Sequence, residues 1–231
     1  VVTSTGLAHP RWRTTFGGEP PLVEAAQALR DASLDDALTK LAPLTAKPVT
    51  ACLLAFEGGA AKTLAELPFN VAKLEADPTL AKIVVQRLSP SLTAVVLHST
   101  HQFAEGAAKV YGAKSTAARI AGAASDEQEE EKILDAMLDA ASRRLGTLLL
   151  DDVAVIRQPT WGPHLHRWGA AFPDAPLLHE SNAFIPSANV AFAGDFVEVS
   201  GAEGRAGSVE GAALSGLGVA EAIRRHLKIA P

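Results

Sequence analysis

Residues 190–216 read VAFAGDFVEVSGAEGRAGSVEGAALSG. An apolar run from Val190 to Ala193 ends in Gly194 and Asp195; a Gly-rich loop follows, then a helix built of small residues. A strand apolar on both faces belongs inside a covered parallel sheet. Open sheets of that kind bind ligands at the C-terminal edge of their strands, where Asp195 stands. A carboxylate there accepts hydrogen bonds from sugar-like hydroxyls. Gly201, Gly204 and Gly207 let backbone approach a ligand closely. Ser208 is a good N-cap, so the helix from Val209 directs its free N–H groups and positive dipole end to the same place. Gly211, Ser215, Gly218 and Ala222 share one helical face, which allows the helix to lie close against a strand. On these residues alone, a ligand site and a ligand-free packing joint are equally good readings. The spacing Gly201-x-x-Gly204-x-x-Gly207 is not a dinucleotide fingerprint, because it does not open a first strand-to-helix unit.

The chain has 231 residues, 48% of them apolar and 20% charged, an ordinary globular composition long enough for one large domain or two modest ones. A formal charge of -5, with no long Lys/Arg run, argues against a nucleic-acid surface. The single cysteine, Cys52, cannot form an internal disulfide, which favours an intracellular, reducing compartment, whether the cytoplasm, a plastid or another organelle. Apolar runs such as TLLL and GAALSGLGVA are too short to span a bilayer, so a soluble protein is expected. VVTST, at the start, reads as a strand already in progress with no Met before it. The expectation is therefore that the natural protein begins further upstream.

Residues 7–23 carry three prolines and a Gly-Gly pair and read as a loop. Residues 22–41 show helical spacing for one or two short helices, and KPVTACLLAFEGG reads as a strand closed by Gly58 and Gly59. AKIVVQRLS and LTAVVLHST, separated by Pro90, are expected as antiparallel neighbours. Ser125 and Gln128 form a capping-box pattern, followed by acidic residues through Glu131. An apolar stripe of Ile133, Leu134, Met137, Leu138, Ala141 and Leu145 then runs to Arg143, Arg144 and Gly146. DDVAVIRQPTW reads as a further strand, and HRWGAAFPDAP as the way into a Pro-rich loop.

AGD at 193–195 followed by SVEGAALSGLGVAEAI resembles the C-terminal flavin-binding segment of the FAD-dependent amine oxidase superfamily. HLHRWGAAFP upstream is similar to the renalase-like branch of that superfamily, as are VVLHSTHQFA and VTACLLAFEGG. The resemblance implies an α/β fold. Residues 1–24 and 166–231 would be the remainder of a Rossmann-like FAD-binding domain, and 25–165 an inserted substrate domain of mixed sheet and helices. It implies that Asp195, with Gly194, holds the ribityl chain or adjoining phosphate of FAD. The amides of Val209 and Glu210, with Ser208 and Gly211 beside them, would face the flavin pyrimidine edge. The family's Gly-rich first strand-loop-helix has no counterpart in these residues, so this chain alone is expected to bind FAD poorly. That half would come from a longer chain or a partner.

His166, Arg167 and Trp168 precede the flavin segment, and His166 and Trp168 are the expected catalytic, substrate-side residues. The plain alternative is a strand end with an amphipathic Trp at a domain seam. His164 with His166, and His98 with His101, have no Cys or acid at ligand spacing, so no metal is expected. No Gly-x-Ser-x-Gly elbow is present, and a flavoprotein needs none. The first functional expectation is the C-terminal part of a FAD-dependent oxidoreductase taking a hydride from an amine-like or dihydronicotinamide-like small molecule. The other is a non-catalytic subunit that keeps the fold as an interaction module in a larger assembly. Two structural expectations follow from the topology. Val1 and Val2 should lie beside Phe192, and the last helix should pack through Gly211, Ser215 and Gly218, so that Leu at Gly216 or Gly218 damages folding.

Overall fold

A computed structural model describes residues 1–10, 12–13, 17–108, 110, 127–149 and 153–229. The fold is mixed α/β, with six α-helices among the described residues. It divides into two compact units, one of residues 1–47 with 170–231 and one of residues 48–169.

The unit of 48–169 is organised by a five-stranded sheet. Its strands are β1 (Ala46–Glu57), β2 (Val71–Lys73), β3 (Leu80–Ser89), β4 (Leu92–Ser99) and β5 (Trp161–Pro173), in the order β2-β3-β4-β1-β5. β3 and β4 form the expected antiparallel hairpin, with Val85 opposite Val95, and β4 also pairs antiparallel with β1, with Cys52 opposite Leu97. Strict alternation of buried and half-buried residues along β4 turns Thr93, Val95, Leu97 and Ser99 to one face. Two helices contribute to the core on that face, the first being α3 (Gly58–Ala65) with Ala61 and Leu64. The second is α5 (Glu127–Leu145) with Ile133, Met137, Leu138, Ala141 and Leu145. Phe56, Leu64 and Met137 are fully buried, and each such side chain stabilises the fold by roughly 1.5–3 kcal/mol. Thr93, itself buried, ties sheet to helix by donating its hydroxyl proton to the Ala61 carbonyl at 2.9 Å. A short helix, α4 (His101–Gly106), starts at Thr100, whose Oγ1 accepts from the Phe103 amide.

The structure adds to one expectation in this unit and overturns another. Gly58 and Gly59 close β1 as expected, but they also open α3: Gly58 takes φ +62°, which lets the chain turn directly from strand into helix. Val153–Arg157 forms a 3-10 helix rather than a strand; the strand starts only at Trp161 and runs through the HRWGAAFP residues expected to lead into a loop. The apolar stripe of α5 is as expected, whereas Ser125 of its capping box lies outside the described residues.

The unit of 1–47 and 170–231 holds both chain ends. Residues 5–7 form a 3-10 helix, α1 is Pro21–Leu29 and α2 is Ala32–Leu41, so the helical spacing at 22–41 resolves into two helices. Their break is set by Asp31, whose Oδ1 accepts from the Ser33 and Leu34 amides at 3.0 and 2.9 Å. β6 (Leu178–His179) pairs parallel with β9 (Val197–Glu198), and β7 (Phe184–Ile185) pairs antiparallel with β8 (Val190–Ala191). Leu34, Leu41, Leu178 and Phe192 form the centre of the core, with Val219 of the last helix, α6 (Val209–His226), against it.

Neither apolar end segment is the full strand expected of it. VVTST contributes one bridge residue, Val2, before Thr5 begins the 3-10 helix. VAFAG contributes two strand residues, Val190 and Ala191, paired antiparallel with β7 rather than inside a parallel sheet. The two segments do meet. Val2 bridges Phe192 in parallel, donating its amide to the Ala191 carbonyl at 2.6 Å and accepting from the Ala193 amide at 3.0 Å.

Candidate functional site

The Val2 bridge fixes Phe192 and Ala193, and the chain then turns at Gly194. A Cβ at Gly194 would lie 2.6 Å from the Phe196 ring, so only glycine lets the backbone pass there. The Asp195 carbonyl accepts from the Gly207 amide at 2.8 Å, closing the intervening loop and bringing Asp195 beside the start of α6. Gly207 takes φ +74°, the left-handed region this turn requires. Asp195 is half-buried, and burial pushes its carboxyl above the usual range, opposed by a hydrogen bond from its own backbone N–H. Among the described residues that N–H is the carboxylate's one hydrogen-bond donor.

Ser208 caps α6 as its position predicts, with its Oγ accepting from the Gly211 amide at 3.0 Å and lying 2.5 Å from the Arg205 carbonyl. That leaves the Val209 and Glu210 amides in the first turn, where a helix has no internal acceptor for them. Val209 is 89% exposed. The Glu210 side chain, with no role predicted for it, pairs with Arg205. Gly211 is the tightest point: a Cβ there would sit 2.3 Å from the Arg205 carbonyl oxygen, so the loop lies directly on the first turn of the helix.

Further along α6, Ser215 is buried and clamps the helix to the strand end. Its Oγ accepts from the Gly194 amide at 2.9 Å; the Gly194 carbonyl at 2.9 Å and the Ala212 carbonyl at 2.8 Å are within reach of its proton. The expected packing through Gly218 is not what forms. Gly218 is exposed, and a Cβ at Gly216 or Gly218 would meet nothing within 4 Å. The small side chains of this face border a cavity of about 160 Å³ instead, lined by Ser215, Gly218, Val219 and Ala222 with Phe184 and Val197 opposite. Ser215 ties the helix to the strand end, and Gly211 lets the Arg205 loop lie on the helix's first turn.

The structure thus gathers Gly194, Asp195, Ser208, Val209, Glu210 and Gly211 around one helix start. His166 and Trp168 belong to the sheet unit. Their rings stack edge-to-face on β5 with centroids 4.5 Å apart, and Trp168 is 53% exposed. Burial, with the neighbouring His164, lowers the His166 pKa from its ordinary value, so the ring is neutral near pH 7. His101 Nδ1 lies 2.9 Å from the Pro48 carbonyl, and among the described residues no three His, Cys, Asp or Glu side chains form a metal-binding group. Burial raises the Cys52 thiol to about 12, so it is not a nucleophile. Among the described residues no helix is long and apolar enough to cross a membrane.

Packing through Ser215 is as expected; sequence reasoning missed its hydrogen bonds to the Gly194 backbone and the Arg205–Glu210 pair. Ser215 was visible as the one polar residue on a small-residue face, which is the signal that could have marked it. No family model matches this chain, and no curated protein is significantly similar to it.

Proposed function

We propose that the unit of residues 1–47 and 170–231 is part of a Rossmann-like FAD-binding domain. The chain would then be the C-terminal part of a renalase-like, FAD-dependent oxidoreductase acting on an amine-like or dihydronicotinamide-like small molecule. The observation that carries the reading is the 2.8 Å bond from the Gly207 amide to the Asp195 carbonyl, which holds half-buried Asp195 beside the start of a helix. Its fit to a flavin is chemical: a carboxylate whose one donor among the described residues is its own amide suits the hydroxyls of a ribityl chain. First-turn amides suit an electron-rich carbonyl edge.

A bound flavin supplies the hydride acceptor. The chain's own residues hold and shield. Asp195 would accept from ribityl hydroxyls, and the Val209 and Glu210 amides would donate to the ring edge. Gly194 and Gly211 let the strand end, the loop and the first helical turn pack as closely as they do. In the sheet unit, the resemblance gives His166 and Trp168 the substrate. His166, neutral near pH 7, can accept a proton or hydrogen bond there, and the Trp168 ring offers an apolar face. The grip on the ADP half would come from a Gly-rich strand-loop-helix that these 231 residues do not contain, in a longer chain or a partner.

Fluorescence titration of the chain with FMN and with FAD tests this. Weak but saturable quenching at up to millimolar flavin is expected, with similar affinity for the two because only the shared riboflavin phosphate end is held. Asp195→Ala should weaken both about tenfold, the loss of one hydrogen bond to a charged group. Absence of saturable quenching by either flavin would overturn the reading and leave the interaction-module alternative.

A further inference from the structure

We propose that Ser215 is a positioning residue for the flavin: acting through the Gly194 backbone, it fixes where the Asp195 carboxylate stands beside the start of α6. The inference rests on the flavin reading above. Ser215 is 2% exposed in the middle of an 18-residue helix, where a buried hydroxyl is retained only if its hydrogen bonds are met. Its partners include both backbone groups of Gly194, 21 residues away, the amide and the carbonyl each at 2.9 Å. Gly194 is the residue immediately before the carboxylate and has no side chain of its own to anchor it. On the other side, the Asp195 carbonyl is held by the Gly207 amide at 2.8 Å. The Gly194–Asp195 pair is therefore pinned at two points to α6 and the loop that enters it, and among the described residues Ser215 is the one side-chain pin. Alanine at 215 removes it and leaves the Gly194 amide without its acceptor.

The test is a double-mutant cycle read by FMN fluorescence quenching on the full chain, with thermal melting followed in parallel. Ser215→Ala should weaken FMN about tenfold in the wild-type background and less than twofold in the Asp195→Ala background, because the hydroxyl acts through that carboxylate. Ser215→Thr keeps the hydroxyl, and the bordering cavity of about 160 Å³ has room for one methyl, so it should bind FMN within threefold of wild type. If Ser215→Ala does not fold, Ser215→Cys preserves the volume with a weaker donor and acceptor and should show the same dependence on Asp195. Wild-type affinity in Ser215→Ala, or an equal loss in both backgrounds, overturns the positioning role while leaving the flavin reading standing. Absence of FMN binding by the wild-type chain overturns both.

Discussion

His98 stands on β4 with Ala51 of β1 on one side and Lys82 of β3 on the other. Burial first, and then the positive charge of Lys82, pull its pKa down to about 4. A group held below its unfolded value near 6.5 stabilises the fold above that value. The contribution is lost as pH falls from about 6.5 toward about 4, since the unfolded chain binds the proton first. Half-exposed as His98 is, the effect is on the order of 1 kcal/mol. Urea denaturation at pH 7 and pH 4.5 should therefore show a smaller acid loss in His98→Gln than in wild type. An equal loss in both proteins would refute the assignment. Nothing in the sequence showed this. LTAVVLHST gives the strand and its alternation, but the neighbour across the ladder depends on a register that no local pattern sets.

Helix α6 was the most legible element, and its inner face the least. Ser208 as cap, the first turn at Val209 and the extent of the small-residue run could all be read directly, because capping and periodicity are local. Of the small residues expected to pack, Gly211 and Ser215 do and Gly218 does not, because contact depends on how a partner segment lies. Gly211 and Gly218 make the contrast testable. A methyl at Gly211 would meet the Arg205 carbonyl at 2.3 Å, a backbone atom that cannot swing aside, so Gly211→Ala should cost about 1–3 kcal/mol by forcing loop and helix apart. At Gly218 the same methyl meets nothing within 4 Å, and the gain in helix propensity should stabilise by about 0.5–1 kcal/mol. Opposite shifts in melting temperature are the expected result, and parallel shifts would contradict this account of the helix face.

Across the whole molecule, the meeting of the two apolar segments at Val2 and Phe192 was legible and their secondary structure was not. Val2 does lie against Phe192, because each apolar segment must satisfy its backbone groups in a ladder. Yet Val2 and Phe192 share a single bridge, the shortest form a ladder can take; Gly194 then turns the second segment into its loop, and a 3-10 helix takes over the first at Thr5. The sheet of the 48–169 unit was better read. Its long β-branched strands carry their own alternation, whereas Val153–Arg157 has strand-like composition and folds as a 3-10 helix. The candidate cofactor residues could be placed from the sequence because Gly194–Asp195 and Ser208–Gly211 each sit at an element boundary. What holds them together, the Gly207 and Ser215 hydrogen bonds, is tertiary and had no sequence signature beyond an isolated serine.

The central claim, that Asp195 and the start of α6 hold a flavin, is met most directly by amide chemical-shift mapping on the 15N-labelled chain as FMN is added. The account predicts saturable shifts centred on Gly194, Asp195, Val209, Glu210 and Gly211, abolished or strongly reduced by Asp195→Ala. Shifts confined to other residues, or none at millimolar FMN, would contradict it.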